Sequence, residues 1–173
     1  MRRTEARGAA LIEVLMVLSV LTVLLSVLLP AGFSLYARAA VEYEAMRLVA
    51  ELRRVQAVTR MTTPPLYMMQ GRAAWEREPR VRIRAGSYAV HHPFAGEDRV
   101  HKPLPRVRIV QETMRETPVV FGRNGEIAGR WSHNMKIRVY AEGCEERALY
   151  VVIDRAARIR LQRGGQDAPD ETD

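Results

Sequence analysis

Cysteine is almost missing from this 173-residue sequence. Cys144 stands alone, which excludes an internal disulfide framework and any cysteine-rich zinc site. Lysine is nearly as scarce, because only Lys102 and Lys136 interrupt an otherwise arginine-only set of basic residues. Aromatic residues make up 6%, and Trp75 and Trp131 read as core or sheet-packing residues rather than as a ligand platform. No phosphate-cradling glycine loop and no Ser-His-Asp ordering occurs, so neither a catalytic residue nor a cofactor is expected. What the chain has in quantity is apolar residues, at 47%, too many for a disordered protein. Its net charge of +7 is uneven. Residues 1–8 carry +2, residues 9–30 carry −1, and residues 164–173 carry −4, which leaves +10 on residues 31–163. That middle region is expected to attract polyanions or anionic surfaces.

The apolar residues concentrate in Ala9–Leu29, where Glu13 is the only charge. A helix of that length spans roughly 31 Å, the thickness of a bilayer's hydrocarbon core. Leu, Val, Ile, Met and Ala fill it all round, leaving no polar face for a soluble bundle. Arg2, Arg3 and Arg7 on the short N-terminal side predict that this end stays in the cytoplasm and the rest crosses a membrane. A cleavable secretory signal is the rival reading, but the run is long for one and no Ala-x-Ala site precedes Pro30. An uncleaved signal anchor stays open.

Beyond Pro30 and Gly32 the spacing predicts an amphipathic helix from about Phe33 to Met61. Val41, Ala45, Leu48, Val49, Leu52, Val55 and Val58 form its apolar stripe, and Glu42, Glu44, Arg47, Glu51, Arg54 and Arg60 form the opposite, wet face. The two segments read as one helix of about 50 residues, bent or loosened at Pro30 and stopped by Pro64-Pro65. The remainder reads as strands at 66–69, 81–84, 87–91, 106–112, 119–121, 135–140, 148–154 and 158–161. Loops are expected at 71–80 and 92–105. Strict alternation, as in Val81 and Ile83 against Arg80, Arg82 and Arg84, argues for antiparallel sheet with one buried and one wet face. Asn124-Gly125 is a turn signal. The expected fold class is α+β: a long N-terminal helix, transmembrane in its first half, packed on a small antiparallel β-sheet head. The expected segments are 1–8, 9–30, 31–62, 63–163 and a flexible acidic tail at 164–173.

A carboxylate one turn into a membrane helix costs a few kcal/mol, so Glu13 calls for a partner of opposite charge at the same depth. Cleavage after Gly8 would supply one, the new α-amino group of Ala9. In a stack of such helices, Glu13 of one copy would meet the amino terminus of the next, and a desolvated pair of that kind discriminates for axial register.

Arg7-Gly8-Ala9-Ala10-Leu11-Ile12-Glu13-Val14, the apolar run behind it and Pro30 together resemble the type IV pilin and pseudopilin family. The resemblance implies a prepilin leader cleaved after Gly8 by prepilin peptidase, N-methylation of Ala9, and a role for Glu13 in assembly with other pilins through an inner-membrane assembly platform. It implies residence in the cytoplasmic membrane with the head outside the cytoplasm. Ala9 departs from the more usual Phe or Met. Glu51-Leu52-Arg53, Phe121-Gly122-Arg123-Asn124-Gly125 and the stretch 150–160 further resemble the H-type minor pseudopilins of type II secretion, the T-type minor pilins and the competence minor pseudopilins. Their usual Gly-Arg-x-Arg ending reads here with Ala157 in place of the glycine.

Arg155, Arg158, Arg160 and Arg163 fall within nine residues, and on a strand Arg158 and Arg160 share one face. Guanidinium forks suit phosphate oxygens, so these four are the candidate DNA contacts. The alternatives are a solvated strand face or pairing with the acidic tail. A similar arginine motif is associated with DNA uptake in T-type minor pilins. His91, His92, His101 and His133 read as surface loop residues, since no carboxylate or cysteine stands at metal-site spacing from them, and no metal is expected. Cys144 reads as an ordinary thiol, and Glu97-Asp98 and Glu145-Glu146 lack the Asp-rich loop of a calcium site.

Overall fold

The computed structural model describes residues 2–62, 78–84, 86–92, 97–113, 117–122, 124–127 and 134–164, with side chains in the first helix described from Ile12 to Met61. The expected strand at 66–69, Trp75, Trp131, His133 and the acidic residues of the tail lie outside these. The chain divides into two compact units, Met1–Tyr36 and Ala37–Asp173.

One helix, α1 (Arg2–Thr62), is continuous through Pro30. The ring removes one main-chain hydrogen bond, but neighbouring turns hold their pattern and the helix is not interrupted. In the first unit every residue from Ile12 to Phe33 is exposed. Ser19, Thr22 and Ser26 turn their hydroxyls back on the carbonyls of Met16, Leu18 and Val23 at 2.7–2.8 Å. An apolar surface whose few polar groups are satisfied within the helix is what a hydrocarbon environment demands. Among the described residues this is the one helix long and apolar enough to cross a membrane, with an 18-residue window of mean hydropathy 2.7.

The second unit holds the core. From α1 it takes Ala40 and then Val41, Ala45, Leu48, Leu52 and Val55 at four- and three-residue steps, all buried. This matches most of the predicted stripe; Val49 and Val58 are only partly buried. Most of the rest comes from strands, of which the described residues form eight: β1 (Arg80–Arg84), β2 (Ser87–His91), β3 (Arg99–His101), β4 (Val107–Gln111), β5 (Val119–Val120), β6 (Met135–Ala141), β7 (Leu149–Ile153) and β8 (Ile159–Arg163). They form two four-stranded sheets, β3-β2-β1-β5 and β4-β6-β7-β8, with antiparallel pairing throughout. Alternation sends Val81, Ile83, Tyr88 and Val90 inward from the first sheet and Ile109, Ile137, Val139, Val151 and Ile153 inward from the second. The head is therefore built of two sheets. β3 occupies part of the segment read as a loop, because pairing with β2 outweighs the prolines and glycine around it. The Asn124-Gly125 turn is present: Gly125 takes a φ of +82° and Phe121 pairs with Ile127 across it.

Glu44 corrects the helix reading. Placed by spacing on the wet face, it is 1% exposed. Its Oε2 lies 2.8 Å from Nε2 of His101, and its Oε1 accepts the Leu104 N–H at 2.9 Å. A buried carboxylate is tolerated when paired and hydrogen-bonded in this way.

Candidate functional site

Gly8 and Ala9 lie on the first turns of α1, and Glu13 follows one turn later with its neighbours Ile12, Val14 and Leu15 exposed. Glu13 is the only charge among the described side chains from Ile12 to Tyr36. Among the described residues neither a side-chain hydrogen bond nor an ion pair accompanies it, and the exposed surface around it is aliphatic. The arrangement provides a single carboxylate on an apolar cylinder, which a cation from another molecule can reach.

The C-terminal arginines are arranged otherwise. β8 begins at Ile159, so Arg158 lies in the preceding turn and not on the strand. It nevertheless meets Arg160 at a shared carboxylate. Asp154 accepts the Arg158 backbone N–H at 2.8 Å and its Nε at 2.6 Å, and lies 3.6 Å from the Arg160 guanidinium. Burial alone would raise the Asp154 pKa. The hydrogen bonds from Arg158 and the charges of both arginines outweigh it and hold the carboxyl below its usual range. Arg163 reaches Glu42 on α1 at 3.3 Å. Arg155 is exposed. Three of the four proposed DNA contacts thus have a carboxylate nearby.

The turn that holds Asp154 depends on Ala157, whose φ is +55°. Alanine here takes the left-handed conformation that glycine adopts at less cost, and its N–H donates to the Asp154 carbonyl at 2.8 Å. Gln56 on α1 secures both neighbouring turns, donating from Nε2 to the Gly125 carbonyl at 2.7 Å and to the Ala157 carbonyl at 3.1 Å.

Two of the histidines are on strands rather than in loops. His91 is on β2 and within 2.6 Å of Asp98, while His101 is on β3 and joined to buried Glu44. His92 has its pKa lowered by burial first and by Arg54 next. Among the described residues no three His, Cys, Asp or Glu side chains gather in a metal-binding group. Cys144 is half-buried before the short 3₁₀ turn Glu145–Arg147.

Sequence reasoning missed the partners of Glu44 and Arg163. It also passed over the outward face of the second sheet, where tyrosines alternate with cations; the signal was present in the spacing of Lys136, Arg138 and Tyr140.

No known family profile matches the chain, and no curated protein matches it. Two solved structures do, both of the type IV minor pilin FimU of Pseudomonas aeruginosa strain PAO1, in two crystal forms. They align with TM-scores of 0.49 and 0.45 at 14% identity, over 70% of this chain and 91% and 90% of theirs. The likeness is to a minor pilin.

Proposed function

We propose that this chain is a minor pilin or pseudopilin, a structural subunit of a type IV pilus, type II secretion or competence filament. The observation that carries the proposal is the lone Glu13 on a helix surface exposed and apolar from Ile12 through Leu29. Before assembly the helix is held in the cytoplasmic membrane, with residues 1–8 on the cytoplasmic side and the head across it. Prepilin peptidase cleaves after Gly8 and Ala9 is methylated. On the assembly platform, Glu13 of the incoming copy docks beside the Ala9 ammonium of a neighbour, and lipid contacts are exchanged for helix contacts. A register slip leaves an unpaired carboxylate in an apolar setting, at a cost of several kcal/mol, so the pair selects one axial position.

Two measurements in the native host test this. Mass spectrometry of the membrane fraction should find a chain starting at Ala9, and Glu13→Ala should remove the protein from sheared filaments while leaving its membrane level unchanged. An intact Met1 terminus, or normal incorporation of the Glu13→Ala chain, rejects the proposal and favours a plain signal-anchored domain.

The finer reading, DNA capture by Arg155, Arg158, Arg160 and Arg163, is supported by their exposure and opposed by the pairing of three of them. If it holds, Asp154→Asn strengthens duplex binding by releasing Arg158 and Arg160, and Arg158→Glu with Arg160→Glu abolishes it.

A further inference from the structure

The second sheet has an outward face that the assembly reading does not use. Strand alternation and register place Arg108 on β4, Lys136, Arg138 and Tyr140 on β6, Tyr150 on β7 and Arg160 on β8 all on that side. The remaining outward positions are valine and glutamine, and none of the four strands contains a carboxylate. The acids that meet these cations, Glu112, Glu142, Glu145 and Asp154, all lie past the strand ends. Two of the pairs are long, Lys136 to Glu112 at 3.9 Å and Arg138 to Glu145 at 4.0 Å. An exposed pair at such a distance contributes little, so Lys136 is available to a stronger anion. Arg138, 27% exposed, also donates from Nη2 to the Glu145 carbonyl at 3.1 Å. Arg108 and Arg160 lie 2.6 Å and 3.6 Å from Glu142 and Asp154, so a phosphate reaches all three arginines by displacing those partners.

The tyrosines make this face more than a charged surface. Lys136 Nζ stands 4.4 Å from the Tyr150 ring centre, and the Arg138 guanidinium 4.8 Å from that of Tyr140. In the register Arg138 is opposite Tyr150 and two residues from Tyr140, so it is flanked by both rings. Planar rings interleaved with cations on an antiparallel sheet suit a chain that alternates flat bases with phosphates. A base that takes a ring face displaces its cation towards the adjacent phosphate, so neither group is left unpaired. Duplex DNA keeps its base faces stacked inside and engages the cations alone. An acidic peptide leaves the rings unused.

We propose that this face binds single-stranded nucleic acid without sequence preference, stacking bases on Tyr140 and Tyr150 and pairing phosphates with Arg108, Lys136, Arg138 and Arg160. The inference is independent of filament assembly, which uses the first half of α1.

The test uses the full chain in detergent micelles and fluorescence anisotropy with a 20-mer oligothymidylate, a 20-bp duplex and polyglutamate. Four phosphate contacts predict a slope of log K against log salt of about −3 for the single strand. Tyr140→Leu and Tyr150→Leu should each weaken binding about tenfold with the slope kept, whereas Tyr→Phe at either position should preserve it. Lys136→Gln and Arg138→Gln should each flatten the slope by about 0.7. Ultraviolet crosslinking of the unsubstituted protein should map thymidine to Tyr140 or Tyr150, a readout that does not depend on any variant folding. Absence of oligothymidylate binding overturns the proposal. So does equal affinity for duplex or polyglutamate, indifference to the leucine substitutions, or crosslinks confined to other peptides.

Discussion

Asp154 shows how a single side chain fixes the chemistry of its surroundings. Its two oxygens close the turn between β7 and β8 and engage two of the arginines that made the C-terminus look like a phosphate site. Because its pKa is lowered in the folded chain, its contribution to stability is fully present above the unfolded carboxyl value of about 3.9 and is lost as pH falls through the lower folded value. Asp154→Asn should therefore lower the thermal midpoint at pH 7 and show a shallower further loss between pH 5 and pH 2 than the parent. Circular-dichroism melts across that range check it, and parallel curves for the two proteins contradict it. Ala157, three residues on, was read as standing in for the glycine of a turn, and its φ of +55° shows alanine in the conformation glycine favours. The family resemblance pointed to that residue; its backbone conformation came only with the fold. Tyr88 is a second case. It is buried on the inward face of β2, and burial pushes its phenol up to about 12 against the opposing pull of the Arg47 guanidinium.

At the scale of elements, α1 is two different surfaces on one helix. From Ile12 to Phe33 nothing is buried, and from Ala40 a stripe of small and aliphatic residues enters the core. Hydropathy and 3.6-residue spacing made both halves legible, since each depends only on which residue types recur along the helix. Glu44 was misplaced because it adjoins the apolar stripe, and its burial depends on His101 and Leu104, respectively 57 and 60 positions away. Removing it strands that histidine and an N–H in the interior. Glu44→Ala should cost about 3 kcal/mol of unfolding free energy in urea, and a loss under about 0.5 kcal/mol would mean that water replaces the pair. The strands were legible for the same reason as the helix, with ends shifted by one or two residues. β3 was not, because three residues flanked by prolines carry too little pattern.

For the whole molecule, every buried side chain among the described residues lies at Ala40 or later, within the compact unit Ala37–Asp173. The fragment 37–173 should accordingly stay monodisperse without detergent and unfold cooperatively in urea. Aggregation, or a non-cooperative transition, would show that the first 36 residues contribute to the core. The +10 of residues 31–163 is concentrated on the sheets: β1 directs Arg80, Arg82 and Arg84 outward, and β4, β6 and β8 direct Arg108, Lys136, Arg138 and Arg160 outward. Charge of one sign on outward strand positions keeps sheet faces and edges soluble, and it also defines where an anionic partner can bind.

Composition and spacing determined, with no coordinates, that an apolar helix carries one misplaced acid, that an amphipathic helix follows it, and that alternating strands make an antiparallel head. These are properties of neighbours in the chain, where geometry follows directly from periodicity. Tertiary structure alone decided that the strands divide into two sheets, that Glu44 goes inside, that Arg163 meets Glu42 from 121 positions away, and that Tyr140 and Tyr150 share a face with four cations. Each of these is a choice among many possible partners, and it is made by which surfaces the folded core brings together.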